Sequence, residues 1–281
     1  MNRAERDRAD RQGAQGGEGS VGTVGSMGTV PMPLEVELLP VLRDNYVFVL
    51  HNAQQAVVVD PAVAPPVRQW LEERQLELVA VLQTHHHSDH IGGTLALLER
   101  WPAAAVVAAR SDCERIPFQT LGVNDGDRVP LLGRELEVLA IPGHTRAHIA
   151  FHLPAPDGEG EEDGGDLFCG DTLFAGGCGR LFEGTPEQMW HSLQRLGALP
   201  GAPRVWCAHE YTETNLRWAL SRRPEDRSIV ERLAAVVQQR AGGRPTVPSS
   251  IGLERATNLF VRSGSVAELA DLRASRNHWK G

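Results

Sequence analysis

Thr84-His85-His86-His87-Ser88-Asp89-His90 is the stretch on which the reading of this chain turns. Four residues able to ligate a cation, His85, His87, Asp89 and His90, fall inside six positions. Neutral imidazoles and carboxylates are the usual protein ligands of zinc and similar ions. His85 and His87 are two apart, so in an extended or turning segment both rings point to one side. Asp89 and His90 follow where the chain should enter a helix, and so project from its first turn toward a neighbouring position. Two subsites thus arise from one short stretch. Gly92 and Gly93 let the backbone behind it pack closely. A lone histidine is more often a satisfied core or surface residue than a ligand. Four ligand-type residues in one run reverse that balance.

Working outward, residues 78–82 form an apolar strand that runs straight into the cluster, and residues 92–100 have helical spacing. Further strands are expected at 36–42, 46–50, 56–59, 104–108, 127–129, 135–141, 149–153, 167–169 and 205–208, and helices at 65–74, 212–222 and 228–239. Residues 43–45 read as a turn and 154–166 as a Gly- and acid-rich solvent loop. His85, His144, Asp171 and His209 each sit just past a short apolar strand. Strand-end loops are where a rigid sheet presents reactive side chains, so four such ends suggest one converging site.

Composition narrows the class. The chain has 281 residues, 41% of them hydrophobic, and a net charge of −8, which argues against a nucleic-acid binder. Cys113, Cys169, Cys178 and Cys207 form no CxxC pair, so buried thiols in a reducing cytoplasm are expected rather than a disulfide framework. No apolar run is long enough to span a membrane. Residues 1–33 lack a signal-peptide core and are expected to be disordered, with Met27 or Met32 as a candidate start of translation. Residues 34–208 would form the catalytic domain and 209–281 a helical C-terminal domain.

The run Thr-His-His-His-Ser-Asp-His resembles the HxHxDH signature of the metallo-β-lactamase superfamily. Pro142-Gly143-His144-Thr145, Gly170-Asp171-Thr172 and Ala208-His209-Glu210 resemble its later motifs, in order. A closer resemblance, to the glyoxalase II (hydroxyacylglutathione hydrolase) family, is carried by Gly170 to Arg180 (GDTLFAGGCGR), Leu181-Phe182-Glu183-Gly184-Thr185 and Ala208-His209-Glu210-Tyr211-Thr212. Leu42-Arg43-Asp44-Asn45-Tyr46 and Arg255-Ala256-Thr257-Asn258 fit the same family. The resemblance runs from Leu34 to the C-terminus and implies an αβ/βα sandwich followed by a small, mostly helical domain.

Carried over residue by residue, it implies two divalent ions, zinc first, with iron or manganese compatible. One would take His85, His87 and His144, the other Asp89, His90 and His209, with Asp171 bridging. A water held between them would become hydroxide near neutral pH and attack a thioester, with Asp89 orienting it. The implied substrate is S-D-lactoylglutathione. Arg180, Phe182, Tyr211, Arg273 and Arg276 stand at substrate-contacting positions, with Phe182 where some relatives have tyrosine and Arg276 where they have lysine. The enzyme is expected to act as a monomer, without nucleic-acid or membrane partners. The rival readings are another enzyme of the superfamily, such as a persulfide dioxygenase, a β-lactamase or an RNA-processing nuclease, and a non-catalytic metal-binding protein. The full ligand set and the acidic charge disfavour them.

Overall fold

Strands β1 (Glu35–Val41), β2 (Asn45–His51) and β3 (Gln55–Val59) form an antiparallel meander, and helix α1 (Ala64–Glu73) leads to β4 (Glu77–Leu82). The structure is a computed structural model that describes residues 34–155 and 164–281. The expected disordered extension 1–33 and most of the 154–166 loop lie outside the described residues. Helices α2 (Ser88–Ile91) and α3 (Thr94–Arg100) precede β5 (Ala105–Ala109) and β6 (Leu121–Val123). The first sheet runs β1-β2-β3-β4-β5-β6, parallel from β3 onward.

The second sheet begins with β7 (Arg128–Leu131), β8 (Arg134–Ala140), β9 (Ile149–Leu153) and β10 (Asp166–Gly170). A small hairpin follows, β11 (Leu173–Phe174) with β12 (Gly177–Cys178), then α4 (Pro186–Gly197) and β13 (Arg204–Cys207). Helices α5 (Thr212–Arg222) and α6 (Arg227–Ala241), strand β14 (Ser249–Ser250), α7 (Ile251–Thr257) and α8 (Val266–His278) complete the chain. The sheet order is β14-β13-β10-β9-β8-β7, so the helical tail returns one short strand to the catalytic sheet.

The period-two alternation of the first sheet explains the layering. Tyr46, Phe48 and Leu50 of β2 face the core between the sheets, while Val47 and Val49 face a second core with Val67 and Leu71 of α1 and Leu97 of α3. A sheet buried on both faces reads as a continuous apolar run, as 78–82 does. Between the sheets Phe48 meets Phe168 at 5.8 Å and Trp206 at 5.4 Å between ring centroids.

Two sequence expectations shift. The helix expected from 92 to 100 starts two residues later, as α3, and Gly92 and Gly93 separate it from the short α2. A Cβ on Gly92 would come within 2.7 Å of the Ala62 carbonyl oxygen, and one on Gly93 within 2.5 Å of the Val63 backbone. The close packing read from the pair is therefore real. The second is helix α4, whose bounds the pattern leaves undefined although Thr185 and Gln188 form a reciprocal capping box at its start.

Because Phe48 is the ring that joins the two sheets, Phe48→Ala is expected to cost about 3–5 kcal/mol of stability. Equilibrium denaturation would measure it; a loss under about 1 kcal/mol would mean the inter-sheet core does not depend on this ring.

Candidate metal centre and substrate cleft

The ends of β4, β8, β10 and β13 open on one edge of the sandwich, and His85, His144, Asp171 and His209 follow them. Backbone bonds hold the sheets together there: Tyr46 N donates to Ala208 O at 2.7 Å, Glu210 N to Asp44 O at 2.9 Å and Ile149 N to Thr84 O at 3.0 Å. Gly170 turns the chain at φ 47°, where a side chain would strike Thr84 and His148. That turn presents Asp171.

Four of the rings, those of His85, His90, His144 and His209, are oriented by the nitrogen that faces away from the cluster. His144 Nδ1 donates to Arg180 O at 2.8 Å, leaving Nε2 a lone pair that lies 3.0 Å from His87 Nδ1. His85 Nδ1 is 3.1 Å from Thr84 Oγ1, and its Nε2 lies 3.0 Å from the same His87 nitrogen. His90 Nδ1 bonds Asp60 at 2.9 Å and His209 Nδ1 bonds Asp44 at 2.9 Å. Outward partners of this kind fix the tautomer and aim the free nitrogen. Asp171 lies among them, Oδ1 at 3.4 Å from His90 Nε2 and 3.2 Å from His209 Nε2, and Oδ2 at 3.4 Å from His144 Nε2. Asn45 Nδ2 donates to Asp89 Oδ2 at 3.1 Å and holds that carboxylate facing the cleft.

The donor set suits divalent cations. His85, His87 and His144 bring ligand atoms within 4.8 Å of one another, and so do Asp89, His90 and His209. His90 Nε2 and Asp171 Oδ1 are buried without a hydrogen-bond partner, as polar atoms are when a cation is their natural mate. Burial holds the His85 ring well below its usual pKa and brings His87 down to about 4, so both are neutral, lone-pair donors at pH 7. Burial acts the same way on His90, but Asp171 and Asp60 outweigh it and raise that pKa; Asp171 likewise raises His209. Asp171 is driven up by burial and further down by His90 and His209, so it is ionised.

Beside the cluster lies a cleft of about 720 Å³, the size of a small-molecule site. Arg180, Phe182, Tyr211, Arg273 and Arg276 all line it. Tyr211 stacks on His209 at 4.8 Å, and burial followed by the Asp44 and Asp171 charges raises its pKa, keeping the hydroxyl protonated. Phe182 is 63% exposed at the rim, edge-on to His87 and His144. Burial, then the charges of Arg273 and Arg180, lower the pKa of Arg276; the three guanidiniums form a positive cluster that an anion would relieve. The two C-terminal arginines differ. Arg276 is half-buried, with Nε on Asn215 at 3.3 Å. Arg273 is 6% exposed and its Nη1 donates to Cys178 O at 2.6 Å, so part of its capacity is spent inside the protein.

Neighbouring histidines and two of the tryptophans have other roles. His86 turns away from the cluster toward Asp112 and Glu183, at 3.4 and 3.6 Å. His148 lies behind it, its Nε2 accepting from Asp171 N at 3.1 Å. Trp218 is buried against Phe260, and Trp190 donates to Ser263 O. Sequence reasoning missed Asp60, which holds Thr84 N, Thr84 Oγ1 and His90 at once. Its signal was available, since Asp60 also stands just past a strand.

A two-sheet sandwich carrying a histidine–aspartate cluster at one edge defines a metallohydrolase of the metallo-β-lactamase type. The metallo-β-lactamase superfamily model matches residues 40–209, and the model for the hydroxyacylglutathione hydrolase C-terminus matches 210–279. The chain is 57% identical over 249 residues to the hydroxyacylglutathione hydrolase of Synechococcus sp. (strain CC9605), covering 89% of this chain and 99% of that protein. It is 58% identical over 245 residues to that of Prochlorococcus marinus (strain MIT 9303), covering 87% and 94%. The solved structure of ETHE1 from Myxococcus xanthus superposes with a TM-score of 0.63 at 26% identity, covering 88% of this chain and 92% of that one. The chain therefore belongs to the hydroxyacylglutathione hydrolase family, and it is an enzyme. Among the described residues no helix is long and apolar enough to cross a membrane.

Loss of an outward partner of this kind typically costs about 10–100-fold in metal affinity. Asp60→Asn should therefore weaken metal retention by that factor, read by competition with a chromogenic chelator. Wild-type retention would show that His90 is oriented without it.

Proposed function

We propose that this enzyme hydrolyses S-D-lactoylglutathione to D-lactate and glutathione, with two divalent ions at the cluster. The observation that carries the reading is the opening of one cleft onto both the histidine–aspartate cluster and the cationic group Arg180, Arg273 and Arg276. His85, His87 and His144 would hold one ion and Asp89, His90 and His209 the other, with Asp171 shared; zinc is the first candidate. Bound there, divalent ions supply Lewis acidity, lowering the pKa of water and polarising a carbonyl.

The chain's own residues do the rest. Asp89, held by Asn45, orients the attacking water with its free oxygen and receives its proton. The protein is acidic overall, so the carboxylates of a glutathione thioester need local cations, which Arg180 and Arg276 provide. Protonated Tyr211 donates a hydrogen bond to the substrate backbone. Phe182 offers the rim an apolar face where a hydroxyl would otherwise stand. A thiol leaving group has a pKa of about 8.5 and departs as thiolate without a strong general acid. Residues 34–208 act as the catalytic part and 209–281 as the glutathione-binding part. All four cysteines are free thiols, which suits a reducing cytoplasm, although Cys113 is exposed and only the other three are buried as expected; the enzyme is expected to act as a monomer.

Purified protein assayed with S-D-lactoylglutathione alongside elemental analysis is expected to hydrolyse the thioester and to carry two ions per chain. Metal-loaded protein with no thioesterase activity would overturn the substrate assignment. Asp171→Ala should abolish turnover and lower metal content together; full retained activity would refute the shared role. Arg276→Ala should raise KM tenfold or more, the size expected of a charge-assisted hydrogen bond worth about 1.5–3 kcal/mol.

A further inference from the structure

The run Arg255-Ala256-Thr257-Asn258 lies on α7 and at its C-terminal cap, outside the cleft. Its last residue, Asn258, together with Glu254 just before the run, nevertheless reaches the wall of the cleft from behind. We propose that Glu254 and Asn258 are positioning residues for hydrolysis, holding the β11–β12 hairpin against the metal cluster. The inference rests on the thioesterase reading above.

A hairpin with two residues in each strand cannot hold its own shape. Here five backbone groups of the hairpin are taken by side chains from the helical tail. Gly176 N donates to Glu254 Oε2 at 2.8 Å. Phe174 O and Gly177 O accept from Asn258 Nδ2 at 3.2 and 2.9 Å. Ala175 O accepts from Asn215 at 3.2 Å, and Cys178 O from Arg273. Asn258 is fully buried, with its Oδ1 accepting from Phe260 N at 3.0 Å and its Nδ2 also 2.9 Å from Glu254 Oε2. Glu254 is 1% exposed and paired with Arg232 at 2.6 Å. A buried ion pair is a poor way to gain stability, because desolvation offsets its attraction. It is an effective way to fix a carboxylate whose other oxygen must meet one backbone N–H.

What the hairpin carries explains the need. Phe174 stands edge-on to His209 at 5.8 Å and to Tyr211 at 5.3 Å. The chain enters the hairpin from Asp171-Thr172 and leaves it into Gly179-Arg180, whose Arg180 carbonyl orients His144. Both ends of this short segment are thus tied to the cluster, and its middle walls the cleft. A hairpin that drifts moves the Tyr211 stack, the Arg180 side chain and the acceptor of His144 together.

The test compares Asn258→Ala and Glu254→Gln with Arg255→Ala in full-length, metal-loaded enzyme. Arg255 sits on the same helix but bonds the Gly197 and Leu199 carbonyls instead, so its loss reports the effect of loosening α7 alone. Arg255→Ala is expected to lower Tm while leaving KM and kcat for S-D-lactoylglutathione unchanged. Asn258→Ala and Glu254→Gln are expected to raise KM and lower kcat, so that kcat/KM falls on the order of tenfold or more. Amide hydrogen exchange at residues 173–179 should speed up in both, ahead of the sheets. Wild-type KM and kcat in these variants, or a change no larger than in Arg255→Ala, would overturn the proposal. If Asn258→Ala does not fold, Glu254→Gln decides alone. A wild-type enzyme inactive on the thioester would strike the substrate reading instead, and the exchange experiment would still report on the hairpin.

Discussion

Asp171 is a carboxylate buried among imidazoles, and most of the architecture can be understood as the means of keeping it there. Removing an ionised carboxylate from water costs several kcal/mol unless charge and hydrogen bonds replace the solvent. The replacements come from three separate segments, α2, the β8–β9 connection and the end of β13: His90 and His209 face one oxygen, His144 the other, and His148 accepts from the backbone N–H. No local segment could supply them. The two sheets must close at one edge, which is what the Tyr46–Ala208 and Ile149–Thr84 backbone bonds do.

The same economy extends outward. Asp60 orients His90 and also takes the N–H and hydroxyl of Thr84, the residue on which His85 leans. Asp44 bonds His209 through its side chain while its carbonyl anchors Glu210. Arg180 turns its side chain to the cleft and its carbonyl to His144. Residues that line the cleft and residues that orient the histidines are therefore neighbours in the covalent chain, and Arg180 does both.

Sequence reasoning reached the fold class and the cluster because both leave local signals. The apolar runs ending at 82, 141, 169 and 208 mark strands, and ligand-type residues stand immediately after them. Helix 212–222 is legible to the residue because its flanks are polar and its apolar face is regular. What stayed hidden depends on partners far away in the chain. Strand β14 is two residues long and has no pattern of its own; only its pairing with β13 makes it a strand. Asn258 belongs to a stretch that fits the family, but its role is hidden until the hairpin, more than 80 positions earlier, is folded against it. Arg273 and Arg276 look like an equivalent pair in sequence, three apart on one helix. Their burial separates them, since one points its charge at a backbone carbonyl and the other stays half-open to the cleft.

That asymmetry bears on why the tail of this enzyme is helical and why it does not stand apart from the sandwich. A substrate with two carboxylates and a flexible peptide needs cations at fixed distances from the reacting centre, and positional error is costly to rate. Long arginine side chains on a free helix would hold those distances poorly. Here α8 sends Arg273 into the hairpin wall and Arg276 onto Asn215 of α5, while α7 locks the hairpin and β14 extends the second sheet. The cations are thereby referenced to the same strands that end in His144, Asp171 and His209. Specificity and chemistry share one rigid frame, and the helices contribute to that frame as well as to the surface that meets the substrate.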